Sequence, residues 1–173
     1  MVLLLIVPLF AAACGSSHHA ATTTVSVARQ TVSGPGFTFD APASWRVGQG
    51  DRSVTAQSAA SPPAIVSATV YRIGKAYAPS DFAAAAKELD GVAAKLAAAA
   101  GGAITERETA TVAGRKIRAY RFTATRKGAA YHDRVGFVLS GKREVQLLCE
   151  APAGAGDPDG ACALLFSSFR LSG

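Results

Sequence analysis

Residues 103–151, AITERETATVAGRKIRAYRFTATRKGAAYHDRVGFVLSGKREVQLLCEA, decide the fold of this chain. The tight breaks Ala113-Gly114, Lys127-Gly128 and Ser140-Gly141 separate the runs 103–112, 115–126, 129–140 and 143–151, which carry β-branched and aromatic residues in alternation with polar ones. Short glycine-bearing breaks between such runs are hairpin signals, so the stretch reads as an antiparallel meander.

Immediately upstream, Ala78-Pro79-Ser80-Asp81 opens a helix, with Ser80 as the expected N-cap and Asp81 complementing the dipole. Phe82, Ala86, Leu89, Val92 or Ala93, and Leu96 follow the spacing of one buried face, and Gly101-Gly102 ends the helix. The small residues on that face predict close packing against a sheet. Further upstream lie the shorter strand signals Phe37-Thr38-Phe39, stopped by Asp40-Ala41-Pro42, then 53–58, then 64–73 behind Pro62-Pro63. Downstream, Asp157 and Pro158 start a last helix that carries Cys162 and runs out near Ser168. The layout is α+β, an antiparallel sheet of about six or seven strands with helices packed on it.

Residues 36–173 form a single domain, long enough for a sizeable core. Residues 15–35, GSSHHAATTTVSVARQTVSGP, have too little apolar surface to offset ordering entropy and read as a flexible tether. His18-His19 lack further ligands for a metal site. Ahead of the tether, residues 1–14 place the apolar run Val2 to Phe10 before Ala11-Ala12-Ala13-Cys14. That run is well short of the roughly 20 residues a spanning helix needs and matches a secretory signal, so the chain is expected to be exported.

The Ala11-Ala12-Ala13-Cys14 step resembles the bacterial lipobox, which implies that Cys14 is the lipidated N-terminus of an envelope lipoprotein on the extracytoplasmic side of the membrane. Ala11 stands where that pattern usually has leucine, and no Lys or Arg precedes Arg29. The alternative is a plain secretory signal cut near Ala13. With Cys14 lipidated, Cys149 and Cys162 remain as an even pair in an oxidising compartment, and a disulfide between them should pin the last helix to the last long strand.

A second resemblance covers the domain. Gly36-Phe37-Thr38-Phe39-Asp40-Ala41-Pro42-Ala43-Ser44-Trp45 looks like the opening of the Mog/PsbP-like fold, lipoproteins of the LpqN type included. The strand with Leu147-Leu148-Cys149 and the segment Cys162 to Phe169 look like its closing strand and helix. The resemblance implies a sandwich fold and binding without an obvious catalytic centre.

Charge is the sharpest functional hint. Arg115, Lys116, Arg118, Arg121, Arg126, Lys127, Arg134, Lys142 and Arg143 make up half of the 18 lysines and arginines in a chain of net charge +6, and Asp133 is the single acid among them. Strand parity puts Lys116, Arg118 and Arg126 on one face and Arg115 and Arg121 on the other. Strand ends and hairpin tips carry Lys127, Lys142 and Arg143, which suits edge protection. The functional alternative is an anionic surface partner: lipid headgroups, an acidic wall polymer or an acidic envelope protein. Nucleic acid is not expected, because export removes it and no stacking aromatics accompany the charges.

Catalytic patterns fail in turn. The chain has no GxSxG elbow, no GxxxxGK[ST] loop and no CxxC or HExxH spacing, so no catalytic residue, metal or cofactor is expected. His132 and Asp133 point to opposite faces of a strand, and Glu106 and Glu108 flank Arg107 on a solvated one. The expectation is a non-catalytic binding or scaffolding domain. A lipid or apolar-ligand carrier is the first alternative, with its ligand between helix and sheet against Phe82, Leu89, Phe122 and Phe137, and with Trp45 as a stacking residue. An uncharacterised envelope enzyme is the second.

Overall fold

The computed structural model describes residues 27–172. The expected signal, Cys14 and His18-His19 lie outside the described residues. The element order is β1 (Arg29–Gly34), β2 (Phe37–Pro42), β3 (Arg46–Gln49), β4 (Ser53–Gln57), β5 (Ile65–Tyr77), α1 (Phe82–Ala99), β6 (Ile104–Val112), β7 (Arg115–Arg126), β8 (Ala129–Pro152), α2 (Ala161–Ser168) and β9 (Arg170–Leu171). A large antiparallel sheet has the order β3-β4-β5-β8-β7-β6, and a small one the order β1-β2-β9.

β8 is extended from end to end, yet it is not one straight ribbon, which at about 3.3 Å per residue would run to roughly 75 Å. The Ala153 N–H donates to the Ala130 carbonyl at 2.9 Å, so the two ends of β8 meet. The chain doubles back at Gly141, whose φ of +57° is open to glycine. The first half of β8 pairs with β7, Arg118↔Phe137 to Arg126↔Ala129, and the second half with β5, Ile65↔Glu150 to Arg72↔Arg143. The meander read from 103–151 is therefore present, third hairpin included.

Strand parity divides the core in two. On one face of the large sheet Val54, Val66, Ile117, Val138 and Leu147 pack with Phe37, Phe39 and Trp45 of the small-sheet segment and with Leu165 and Phe169 of the terminal segment. On the other, α1 lays Leu89, Ala93 and Ala97 over Tyr120, Phe122, Ala124, Val135 and Phe137.

The structure corrects the sequence reading in four places. Residues 29–34 of the expected tether are strand β1, paired along β2 from Arg29↔Pro42 to Gly34↔Phe37, with Val32 buried. One apolar residue in a polar run gives little local signal, and the β2 ladder supplies the order. Phe37-Thr38-Phe39 joins this small second sheet rather than the one antiparallel sheet expected. Ser80 is not the cap of α1: Pro79–Asp81 is a 3-10 turn, and the Asp81 carboxylate accepts the Ala78 N–H at 2.9 Å. The buried face of α1 is Ala85, Leu89, Ala93 and Ala97, which leaves Val92 42% exposed. Asp157 does cap the last helix, from one turn further back than expected. Its carboxylate accepts the Cys162 and Ala163 N–H groups at 2.8 and 3.0 Å across the 3-10 turn Pro158–Gly160.

Candidate functional site

α1 is held at one end and open at the other. At its C-terminus the Thr125 N–H donates to the Ala100 carbonyl at 3.0 Å, and Gly102 lies so close to the Thr123 backbone that a Cβ would have no room. Alanines 93 and 97 have short side chains, so this half of the helix sits low on the sheet. Toward the N-terminus the gap widens into a cleft of about 310 Å³ between Phe82, Ala85 and Leu89 of α1 and Phe137 and Leu139 of the sheet. Tyr77, Ala78 and Pro79 close one side, and Gly114, Arg115, Lys116 and Arg118 the other. No acidic side chain lines it.

The basic residues singled out in the sequence do not form one surface. Arg118 donates to Asp90 at 3.1 Å and lies 5.8 Å from the Tyr120 ring centre, and the Tyr120 hydroxyl donates to the same Asp90 oxygen at 2.8 Å. Burial would raise the Asp90 carboxyl, but Tyr120 and Arg118 together hold it below its usual value. Burial, and then the bond to Asp90, push the Tyr120 hydroxyl well above the ordinary phenol range. Arg121 pairs with Glu106 at 3.1 Å. Arg126 grips the fully buried Asp133 carboxylate through both terminal nitrogens, at 3.2 and 2.6 Å, and also reaches Glu150 at 2.7 Å. Burial raises the Glu150 carboxyl, with Arg126 opposing.

Among the described residues, Arg115, Lys116, Lys127, Lys142 and Arg143 make no ion pair. Topology sorts these. The Ala113-Gly114 and Gly141-Lys142 turns lie at one end of the meander and Lys127-Gly128 at the other. Tyr77 pairs with Gly141, and the Arg143 guanidinium lies over Gly36. Arg115, Lys116, Lys142 and Arg143 thus share one end of the sheet but not one face: Lys116 is on the α1 side with the cleft, whereas Arg115 stands beside Ser167 and Arg170 and Arg143 over Gly36 on the small-sheet side, and Lys127 is at the far end.

Of the residues expected to touch a ligand, Phe82, Leu89 and Phe137 line the cleft. Phe122 packs further along under α1. Trp45 is on the opposite side of the sheet, 4% exposed, and its indole N–H donates to Asp159 at 2.9 Å. Sequence reading missed Leu139 and Tyr77. Leu139 was within reach, since it stands two residues from Phe137 and shares its face. Tyr77 depends on how α1 sits.

A larger groove, about 550 Å³, runs on the opposite face between the start of α2 and the sheet, lined among others by Trp45, Thr105, Arg121, His132, Arg134 and Asp157. Its charged groups are engaged, Arg121 with Glu106, Arg134 with Glu108 and the Phe166 ring, Asp133 and Glu150 with Arg126, and Asp157 with the α2 backbone, while His132 makes no ion pair or side-chain hydrogen bond among the described residues. The Cys149–Cys162 disulfide joins β8 to α2 along its wall, with Cα atoms 5.6 Å apart. Among the described residues no three side chains gather to hold a metal ion, and no helix is long and apolar enough to cross a membrane.

No protein-family model matches the chain, and no curated protein matches it in sequence. Solved structures do match in shape. CyanoP, the cyanobacterial PsbP of Synechocystis sp. PCC 6803, superposes with a TM-score of 0.61 at 14% identity, over 87% of this chain and 95% of that one. LpqN of Mycobacterium tuberculosis, described as involved in cell envelope biogenesis, gives 0.59 at 15%, over 85% and 92%. A protein of Bacteroides thetaiotaomicron VPI-5482 gives 0.59 at 11% identity over 86% of this chain, which spans about half, 49%, of its length. At these identities the likeness is one of fold, and the chain has the PsbP-like α+β sandwich seen in CyanoP and LpqN.

Proposed function

We propose that this chain is an exported envelope protein, anchored by lipid on Cys14, whose domain binds a ligand without transforming it, in the cleft beneath α1. The cleft carries the reading. It is apolar inside, of a size at the lower end of small-molecule sites, and bounded by Phe82, Leu89 and Phe137. Apart from His132, the ionisable groups of the larger groove are taken up by ion pairs and capping, which argues for binding over acid/base chemistry. The apolar run before Cys14 supports export, and the envelope role given for LpqN, a protein of the same fold, accords with it. The partners this reading names are the membrane, through the lipid, and an anionic lipid, wall polymer or acidic envelope protein at the basic end.

The test has two parts. Cys14→Ser should move the protein from the membrane to the soluble fraction, and retention in the membrane would end the lipid-anchor reading. Native mass spectrometry of that variant, after exposure to an envelope extract, should show a defined adduct. A bare mass would favour scaffolding.

A further inference from the structure

We infer that four arginines gathered around β9 on the small-sheet side, Arg72, Arg115, Arg143 and Arg170, dock a linear acidic polymer of the envelope, one that carries a phosphodiester or a carboxylate on each repeat. The inference rests on the exported, anchored reading above and selects one partner from it. Strand parity gives Arg72 the face of Val66 and Ala68, Arg143 that of Val145 and Leu147, and Arg115 that of Ile117 and Ala119, all turned toward the small sheet. β9 links the four. The Arg143 guanidinium lies over Gly36, whose carbonyl accepts the Ser172 N–H at 2.9 Å. Two residues before Ser172, Arg170 shares with Arg115 an open depression of about 430 Å³ that also takes in Thr111, Ser167 and Leu171 and has no acidic side chain in its lining.

Two observations go beyond a solvated face. Arg72 and Arg143 stand directly opposite each other in the β5–β8 register, and like charges so placed destabilise a sheet unless an anion lies between them. Among the described residues, moreover, none of the four makes an ion pair. Arg170 donates to the Ser167 and Phe169 carbonyls at 3.1 and 2.7 Å, which leaves its charge uncompensated. Glu106 and Glu108, on the same side, are held by Arg121 and Arg134. Glu144 lies on the other face of β8, Asp81 and Glu88 belong to the α1 side, and Asp51 of the β3–β4 turn pairs with none of the four. Position and chemistry then favour a polymer over the other anionic partners. The large apolar side chains left exposed among the described residues, Val27 and Val92, lie elsewhere, so the patch lacks the anchor on which a protein interface is built. The chain enters the domain at Arg29, roughly 17 Å along β1 from Gly34 and the Gly36 turn. A lipid on Cys14 therefore joins the domain at the end away from these arginines, which turns them from the anchoring leaflet.

The test titrates the full chain carrying Cys14→Ser with polygalacturonate, poly(glycerol phosphate), poly-glutamate and neutral dextran, by calorimetry. The first two should bind, with affinity falling as salt is raised, and dextran should not. Arg72→Gln with Arg143→Gln should weaken both polymers about tenfold or more, whereas Lys116→Gln, on the α1 side, and Lys127→Gln, at the far end, should each change them by less than about twofold. Arg72→Gln alone should raise the unfolding midpoint of the free protein by relieving the facing pair. A midpoint that does not rise, a loss as large from Lys116→Gln, or binding no tighter than to dextran would overturn the docking patch. Preference for poly-glutamate over both polymers would assign the arginines to an acidic protein instead. The membrane is separated with the lipid-bearing protein in phosphatidylcholine and in phosphatidylglycerol vesicles. Capture of the polymers should be equal on both, and its loss on phosphatidylglycerol would give the arginines to headgroups. If the protein carries no lipid, the anchored reading fails, while the titration of the soluble chain still decides the patch.

Discussion

Both faces of the large sheet are built from the same alternating strands, but the small-sheet face is close-packed around its aromatic centre and keeps its groove at the α2 margin, whereas the α1 face opens beneath the helix itself. On the small-sheet side, Phe37, Phe39 and Phe169 stack ring to ring at centroid distances of 6.4 and 5.9 Å, and the disulfide ties α2 to β8. Large rings from several elements converge there, and the space between them closes, leaving the groove beside the start of α2. On the α1 side a single alanine-rich helix must cover Tyr120, Phe122 and Phe137. Its alanines let it sit low at one end, and rigidity then lifts the other end off the sheet. Unequal side-chain size along one helix face is therefore enough to make a binding cleft in an otherwise close-packed sandwich.

The largest expected contrast is between two phenylalanines. Phe169→Ala, on the filled face, should cost about 3–5 kcal/mol in denaturant unfolding, whereas Phe82→Ala, beside space that already exists, should cost about 1 kcal/mol. Equal losses would erase the distinction between the faces. Next in size is the staple: Cys149→Ala with Cys162→Ala should cost about 3 kcal/mol, because it frees a short loop in the unfolded chain and loosens only the α2 side. Ala93→Leu, under the low half of α1, should then cost about 1–3 kcal/mol by overpacking. Leu139→Phe, facing the cleft, should be close to neutral, and a loss as large as that of Ala93→Leu would mean the cleft is closed in solution.

The smallest effect is one of pH. Glu144 lies in β8 near Tyr77, and burial raises its carboxyl above the ordinary value. A raised folded-state value stabilises the fold below the ordinary glutamate value, and this contribution is lost as pH rises through the folded one. Glu144→Gln should therefore gain stability over the parent protein at neutral pH, with the difference disappearing in acid; a pH-independent difference in melting temperature would contradict it. Asp90 works in the opposite sense. Its lowered value stabilises the fold above the ordinary aspartate range, and that contribution is lost as pH falls through the folded value.

How much of this was legible in the sequence depends on the range of the interaction. Glycine-bearing breaks and strand parity located the meander, because hairpin pairing is local. The Asp157 cap was visible for the same reason. β1 was not: Arg29–Gly34 has one apolar side chain, and its order comes from a partner strand. The face of α1 was misplaced by part of a turn at Val92 because alanines give a weak helical moment, and the sheet chose which of them to bury. In the basic run, spacing displayed the cations but not the carboxylates of Glu106, Asp90 and Glu150 that reach them from other strands and from α1.

The sequence by itself determined an α+β layout with an antiparallel meander, a helix ahead of it and a capped terminal helix. Those features rest on side-chain period, turn chemistry and capping, which act over a few residues. Only the tertiary structure decided that the chain makes two sheets, that Arg118, Arg121 and Arg126 are spoken for while Arg115 and Lys116 part to opposite faces, and that a cleft opens under α1. Charge pairing and empty space depend on which distant surfaces come together, and a local pattern carries no record of that.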